Sequence, residues 1–250
     1  MKNIMKIVMI HFPPLLFSEY PIELISKKML RDAEQLVKVD AIMIENNYDL
    51  PHTIKIEPHI VLQMNQLASK LRESYKDIEL ICCLRNDWES LSIANNCFDF
   101  VRIPVFVDTI ETKYGQTIIT PEKVMEFRKK IRAEHIRIYV DVQVKHSTLI
   151  NKRPIEESIV EACDKADVII TNRTDLPTIK DLEAAREVIS GQELIISVSL
   201  ENIDTIKSVV DTAIITAFKT NDASHDVNVR WEESIDSKKV REICLKVNVV

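Results

Sequence analysis

Glycine is nearly missing: Gly115 and Gly191 are the two glycines in 250 residues, where average usage near 7% would give about 17. Tight turns and close backbone approaches to phosphate normally rely on glycine, so this chain must build both with other residues. Cysteine is sparse as well. The five cysteines (Cys82, Cys83, Cys97, Cys163 and Cys244) are odd in number and form no CxxC pair. Three lie inside strongly periodic segments, where a small buried apolar residue is the better reading. A reducing, cytoplasmic setting is expected. No stretch approaches the roughly 20 apolar residues of a membrane span. The opening MKNIMKIVMIHFPPLLF invites a signal-peptide reading, but His11 and Pro13-Pro14 break its apolar run and no small-residue cleavage site follows. Charge of one sign is absent too: the net charge is −6, with both signs interleaved. That excludes the basic face of a nucleic-acid binder and the polybasic stretch of a membrane-surface protein.

What is present is an ordinary soluble composition, 46% hydrophobic and 29% charged. A chain of this length buries roughly three-quarters of its unfolded surface and needs no metal or disulfide staple. Short β-branched runs recur at 5–12, 41–45, 78–85, 100–107, 136–145, 168–171, 194–199 and 212–218. Amphipathic stretches at about 22–38, 58–76, 88–96, 121–133, 155–165, 178–190, 202–210 and 237–246 follow them. Thr120-Pro121-Glu122 is a typical helix entry, with proline in the first turn after a capping hydroxyl. Such alternation reads as βαβ units with parallel strands. Eight units without a linker predict one domain over 1–250, a closed (βα)8 TIM barrel.

Side chains of a barrel strand point alternately to the helices and to the lumen. In IRIYVDVQVK, Ile136, Ile138, Val140, Val142 and Val144 make the apolar face, so Arg137, Tyr139, Asp141, Gln143 and Lys145 face the lumen. The same parity brings Arg102, Pro104 and Phe106 inward, with Asp108 next in the row. It likewise aligns Arg85 and Asp87 with Ile81 and Cys83, Glu45 with Ala41 and Met43, and His11 with Ile7 and Met9. Thr171, Ser197 and Ser199 follow on similar grounds. The polar ends of these rows lie at the carboxyl ends of the strands, where barrel enzymes carry their chemistry. A buried ion-pair network is the bland reading, but each buried ion costs several kcal/mol unless closely paired, and apolar residues would fill the lumen at lower cost. Asp141 and Glu45 would act as general acid or base, as metal ligands, or as partners positioning Arg85 and Arg102. His11 is either a proton shuttle or a hydrogen-bonded core histidine. Lys145, beside His146, is either a desolvated base or nucleophile or an anion contact. Glu45, Asn46, Asn47, Asp49, Asn86 and Asp87 offer hard oxygen ligands of the kind magnesium takes.

Five segments, MIHFPPL (9–15), VDAIMIENNYDLP (39–51), LRNDWESLSIA (84–94), VRIPVFVDT (101–109) and DVQVKHS (141–147), resemble the BtpA family, also called BtpA/SgcQ. The resemblance spans most of the chain and is strongest up to about residue 160. It implies a phosphate-binding type of barrel in a cytoplasmic or membrane-associated protein, and one family member is linked to photosystem I accumulation. Such proteins are glycine-rich after their sixth to eighth strands. Here those places read Thr171-Asn172, Ser197-Val198-Ser199 before Glu201-Asn202, and Ile215-Thr216-Ala217-Phe218-Lys219. A degenerate phosphate cradle is expected, with Val198 and Ala217 hindering close approach and Ser197, Ser199 and Lys219 compensating through side chains. The leading expectation is an enzyme for a small polar or anionic metabolite, sugar-phosphate or nucleoside-like. A non-catalytic assembly or regulatory factor and a small-ligand sensor are the alternatives, and assembly into a homo-oligomer stays open.

Overall fold

Runs of β-branched residues too short for helices alternate with amphipathic segments, and the backbone follows that alternation throughout. The computed structural model describes residues 4–11, 13–15, 20–36, 38–46, 48–49, 56–84, 90–112, 115–144, 147–171, 178–198, 200–215 and 234–248. In chain order its strands are β1 (Met5–Ile10), β2 (Ala41–Glu45), β3 (Glu79–Cys83), β4 (Phe100–Ile103), β5 (Thr109–Thr112), β6 (Gly115–Ile118), β7 (Arg137–Val142), β8 (Thr148–Leu149), β9 (Val168–Thr171), β10 (Glu193–Val198) and β11 (Thr212–Ile215). The helices are α1 (Ile22–Ala33), α2 (Pro58–Ser74), α3 (Ser90–Cys97), α4 (Pro121–Lys130), α5 (Ile155–Cys163), α6 (Ile179–Val188), α7 (Ile203–Ile206) and α8 (Ser237–Asn248). Eight parallel strands close into a barrel in the order β1-β2-β3-β4-β7-β9-β10-β11, with β11 pairing back onto β1. The expected TIM-barrel architecture is the one observed.

Two apolar clusters divide the strands as alternation demands. Val8, Ile10, Ile42, Ile44, Val101, Ile138, Val140 and Ile215 pack with the helices. Ile7, Met9, Met43, Ile81, Cys83, Phe100, Tyr139, Ile195 and Ile214 fill the lumen. The lumen is thus a packed core below its mouth. Its amino end is closed by the Phe100 and Tyr139 rings, 4.8 Å apart, with the Arg137 guanidinium 4.9 Å from the centre of Phe100 and ion-paired to Glu193 at 3.2 Å.

Two strands are shorter than their sequence pattern. The apolar run 100–107 leaves the barrel after Ile103, and Val105 and Phe106 both pack into the helix-side core. Pro104, Phe106 and Asp108 therefore do not continue the lumen row. Proline has no amide to give the ladder, and Asp108 instead pairs with Arg153 at 2.8 Å and accepts from Ser158 at 3.0 Å. The run 136–145 ends at Val142 because Gln143 takes a positive φ of 51°. That turns Gln143 toward Arg153 and Ser158, to which its amide donates, and removes it from the lumen row. Between these two exits lies an antiparallel sheet of β6, β5 and β8 that sequence alternation did not foresee.

The glycine shortage has a visible consequence. Gly115 and Gly191 both occupy positive φ (122° and 101°), and Lys38, Arg132 and Gln143 adopt it without being glycine. Arg132 stands just past α4, where Ala133 N–H donates to Arg128 O and Arg132 N–H to Lys129 O. That is the Schellman pattern, whose left-handed position is usually glycine. A left-handed L-residue costs about 1–2 kcal/mol and a glycine's extra unfolded entropy about half of that. Arg132→Gly should therefore raise stability by roughly 0.5–1 kcal/mol, read as a higher denaturant midpoint with an unchanged slope.

A second device repeats around the amino face. Asp40, Asp99, Asp167 and Asp211 each stand one residue before a strand: β2, β4, β9 and β11. Each carboxylate accepts, at 2.8 Å, the backbone N–H of the barrel strand before it: Lys6, Leu80, Ile138 and Leu194. Arg72 of α2, Arg128 of α4 and Arg186 of α6 ion-pair with Asp99, Asp167 and Asp211, and the Lys6 ammonium takes that part for Asp40. The barrel is thus stapled every second strand, a fourfold repeat of (βα)2 units.

Candidate functional site

Register sets the mouth of the lumen. Glu45 pairs with Cys83, Cys83 with Arg102, and Arg102 with Tyr139, so these four share one level across β2, β3, β4 and β7. Asp141 stands one lumen step further toward the carboxyl end. Arg102 donates to Asp141 at 2.9 Å, with 8% and 2% of the two residues exposed. Burial opposes the charge of the Arg102 guanidinium, but Asp141, Cys83 and Glu45 together outweigh it and raise its pKa above the ordinary arginine value. The pair is therefore a charged one. Arg102 also lies 3.9 Å from the Met43 sulfur, and its buried Nε finds no hydrogen-bond partner among the described residues.

His11 closes the neighbouring side. Its Nε2 lies 3.2 Å from the Met9 sulfur and its Nδ1 3.3 Å from the Tyr48 hydroxyl, with the two rings edge to face. Both ring nitrogens thus have protein neighbours, which is the hydrogen-bonded core histidine of the two readings. From behind, the buried Lys28 of α1 donates to the His11 carbonyl at 3.1 Å and pairs with Asp32 at 2.6 Å. Asp49 accepts the Leu15 amide and the Asn46 side chain, at 2.5 and 3.1 Å. Asn46 and Asp49 accordingly tie the loop after β2 to the loop after β1. Among the described residues no three His, Cys, Asp or Glu side chains gather as a metal ion would require.

Alternation therefore brings together His11, Glu45, Arg102 and Asp141, with Asn46 and Asp49 beside them. Thr171 ends β9, and Ser197 is a half-buried residue near the end of β10. Arg85, Asn86, Asp87, Lys145, His146, Ser199 and Lys219 lie outside the described residues, as do Asn172 and Ala217. Val198 packs into the helix-side core, so its side chain does not provide the expected hindrance on the lumen side. Lys28, Asp32 and Tyr48 belong to the support of the site and were missed. Their signal was present in the helical spacing of Lys28 and Asp32 on the apolar face of α1, where charges stand out.

Comparisons with known proteins agree with this architecture. The profile of the BtpA family matches residues 2–249. An uncharacterized protein of Caenorhabditis elegans, named as mitochondrial, is 23% identical over 262 residues, covering 97% of this chain and 92% of its own. An uncharacterized protein of Methanocaldococcus jannaschii is 27% identical over 210 residues, covering 81% of this chain and 71% of its own. Among solved structures, the tryptophan synthase alpha chain of Legionella pneumophila superposes with a TM-score of 0.60 at 12% identity, covering 99% of this chain and 93% of that one. N-acetylneuraminate lyase of Fusobacterium nucleatum gives 0.55 at 10% identity, covering 86% and 70%. Likeness at that identity speaks for the barrel alone. No helix among the described residues is long and apolar enough to cross a membrane.

Proposed function

The chain belongs to the BtpA family, and on that premise we propose that it is an enzyme acting on a small polar or anionic metabolite, sugar-phosphate or nucleoside-like, at the carboxyl end of its barrel. One observation carries the reading. A lumen otherwise packed with Ile, Met and aromatic side chains ends in a buried Arg102–Asp141 pair with the Glu45 carboxylate on the level of Arg102. Stability alone would favour apolar residues there. Asp141 is the positioning residue, fixing the Arg102 guanidinium. Glu45 is the proton-transfer residue, since among the described residues nothing donates to its carboxylate or pairs with it. His11 borders the same mouth, and Arg85 and Lys145 are the cations proposed for an anionic group. The same reading keeps the protein in a reducing compartment, as its five unbridged cysteines support.

A thermal-shift screen of phosphorylated sugars, nucleosides and free sugars tests the proposal, followed by turnover assays on the hits. Glu45→Gln should melt like the parent without ligand and keep the ligand-induced shift in part, yet show no turnover. A hit whose shift is indifferent to Glu45→Gln and to Asp141→Asn would remove the site from consideration. A hit that binds through both residues and is never converted would replace the enzyme by a sensor.

A further inference from the structure

The level that carries Glu45 also indicates which part of a ligand it takes, and this step rests on the reading above. Glu45 and Arg102 stand on that level with Cys83 between them, so two strand spacings put their Cα atoms about 10 Å apart. Each is 8% exposed. Glu45 contributes electrostatically to Arg102, but no salt bridge joins them; the guanidinium is bonded to Asp141 instead. Arg102 Nε is a buried donor without a described acceptor, Asn46 Oδ1 a buried acceptor without a described donor, and the Glu45 carboxylate has no described donor. One donor and two acceptors are thus left open around a single gap.

We propose that this gap receives a neutral, hydroxylated part of the ligand, the polyol face of a sugar-like molecule, and not its anion. An anion would find the charge of Arg102 already matched by Asp141 and would face Glu45 as well. An ammonium group would donate to Glu45 but has no lone pair for Arg102 Nε, and the guanidinium repels it. A hydroxyl both donates and accepts, so two neighbouring hydroxyls accept from Arg102 Nε and donate to Glu45 and Asn46. The amide edge of a nucleobase has the same pattern but also wants an aromatic face to stack on. The lumen rings Phe100 and Tyr139 lie against each other and under Arg137.

Methyl-labelled methionine gives a readout in the unaltered protein, because the Met43 sulfur lies beside Arg102 and the Met9 sulfur beside His11. Ribose, inorganic phosphate and uracil would be titrated separately against the full chain. Ribose is expected to move the Met43 methyl resonance saturably, and phosphate and uracil are expected to leave it in place. Glu45→Gln should weaken ribose at least tenfold, and the parent titrations decide the matter alone if that variant does not fold. A Met43 response to phosphate or uracil but not ribose overturns the inference while the proposed function stands. A ribose response unchanged in Glu45→Gln, or no response to any of the three, overturns it too. The proposed function falls only if the wider screen is also empty.

Discussion

Replacing Asp141 by alanine is expected to cost about 3–5 kcal/mol of stability, because it leaves a guanidinium charge buried without its partner. Arg102 is 8% exposed and bonded to Asp141 at 2.9 Å. Its raised pKa means that it cannot relieve the strain by losing its proton. Glu45 is on the same level but not in contact, so it would reduce the loss without cancelling it. Asp141→Asn keeps an oxygen acceptor for the guanidinium and should lose less. The decisive variant removes both charges. Arg102→Met with Asp141→Leu should recover most of the stability, since a buried pair replaced by apolar groups of similar volume is often neutral or better. Ligand shifts and turnover should be lost in all three. Denaturant melts supply the comparison. A loss below about 1 kcal/mol in Asp141→Ala would mean that water reaches Arg102 and the pair is a surface one in energetic terms.

Much of this site was legible because a closed barrel enforces a period of two. Once Ile138, Val140 and Val142 are assigned to the helices, Asp141 has no face left but the lumen, and the same step gives Glu45 and Arg102. Parity fails where the backbone stops being a strand, and hydrophobicity does not mark that point. Val105 and Phe106 are apolar neighbours that both became buried once the chain left the barrel at Pro104. Gln143 continues the polar row in sequence but turns away at positive φ. The sheet of β5, β6 and β8 was hidden because its runs are short and lie between two longer strands. The supports of the site were hidden for another reason. Lys28 and Asp32 act through a backbone carbonyl, a contact that leaves no pattern on the strand it holds. The aspartate staples were readable in retrospect: Val39-Asp40, Phe98-Asp99, Ala166-Asp167 and Val210-Asp211 put an apolar-aspartate pair before every second barrel strand.

Asp211→Ala is expected to cost about 1.5–3 kcal/mol, the range for a hydrogen bond to a charged group whose loss also strands its partners. The carboxylate accepts the Leu194 amide at 2.8 Å and pairs with Arg186, which also donates to Val209 O at 2.8 Å. One side chain thus joins β10, the entry to β11 and helix α6. Its loss leaves the Leu194 amide and one arm of Arg186 to find water. Asp211 should be the most costly of the four staples, because its side chain is 22% exposed against 42% for Asp99, 38% for Asp167 and 41% for Asp40. Asp167 should be cheaper than Asp99, since its arginine stands off at 3.8 Å. Asp211→Asn retains an acceptor for the amide and should lose about half as much as alanine. The staples are on separate (βα)2 units, so Asp99→Ala and Asp211→Ala should add to within about 0.5 kcal/mol. Urea melts of the single and double variants measure this. Sub-additive losses would mean that opening one unit already opens the next, and equal costs at Asp167 and Asp211 would mean that the arginine partners contribute little.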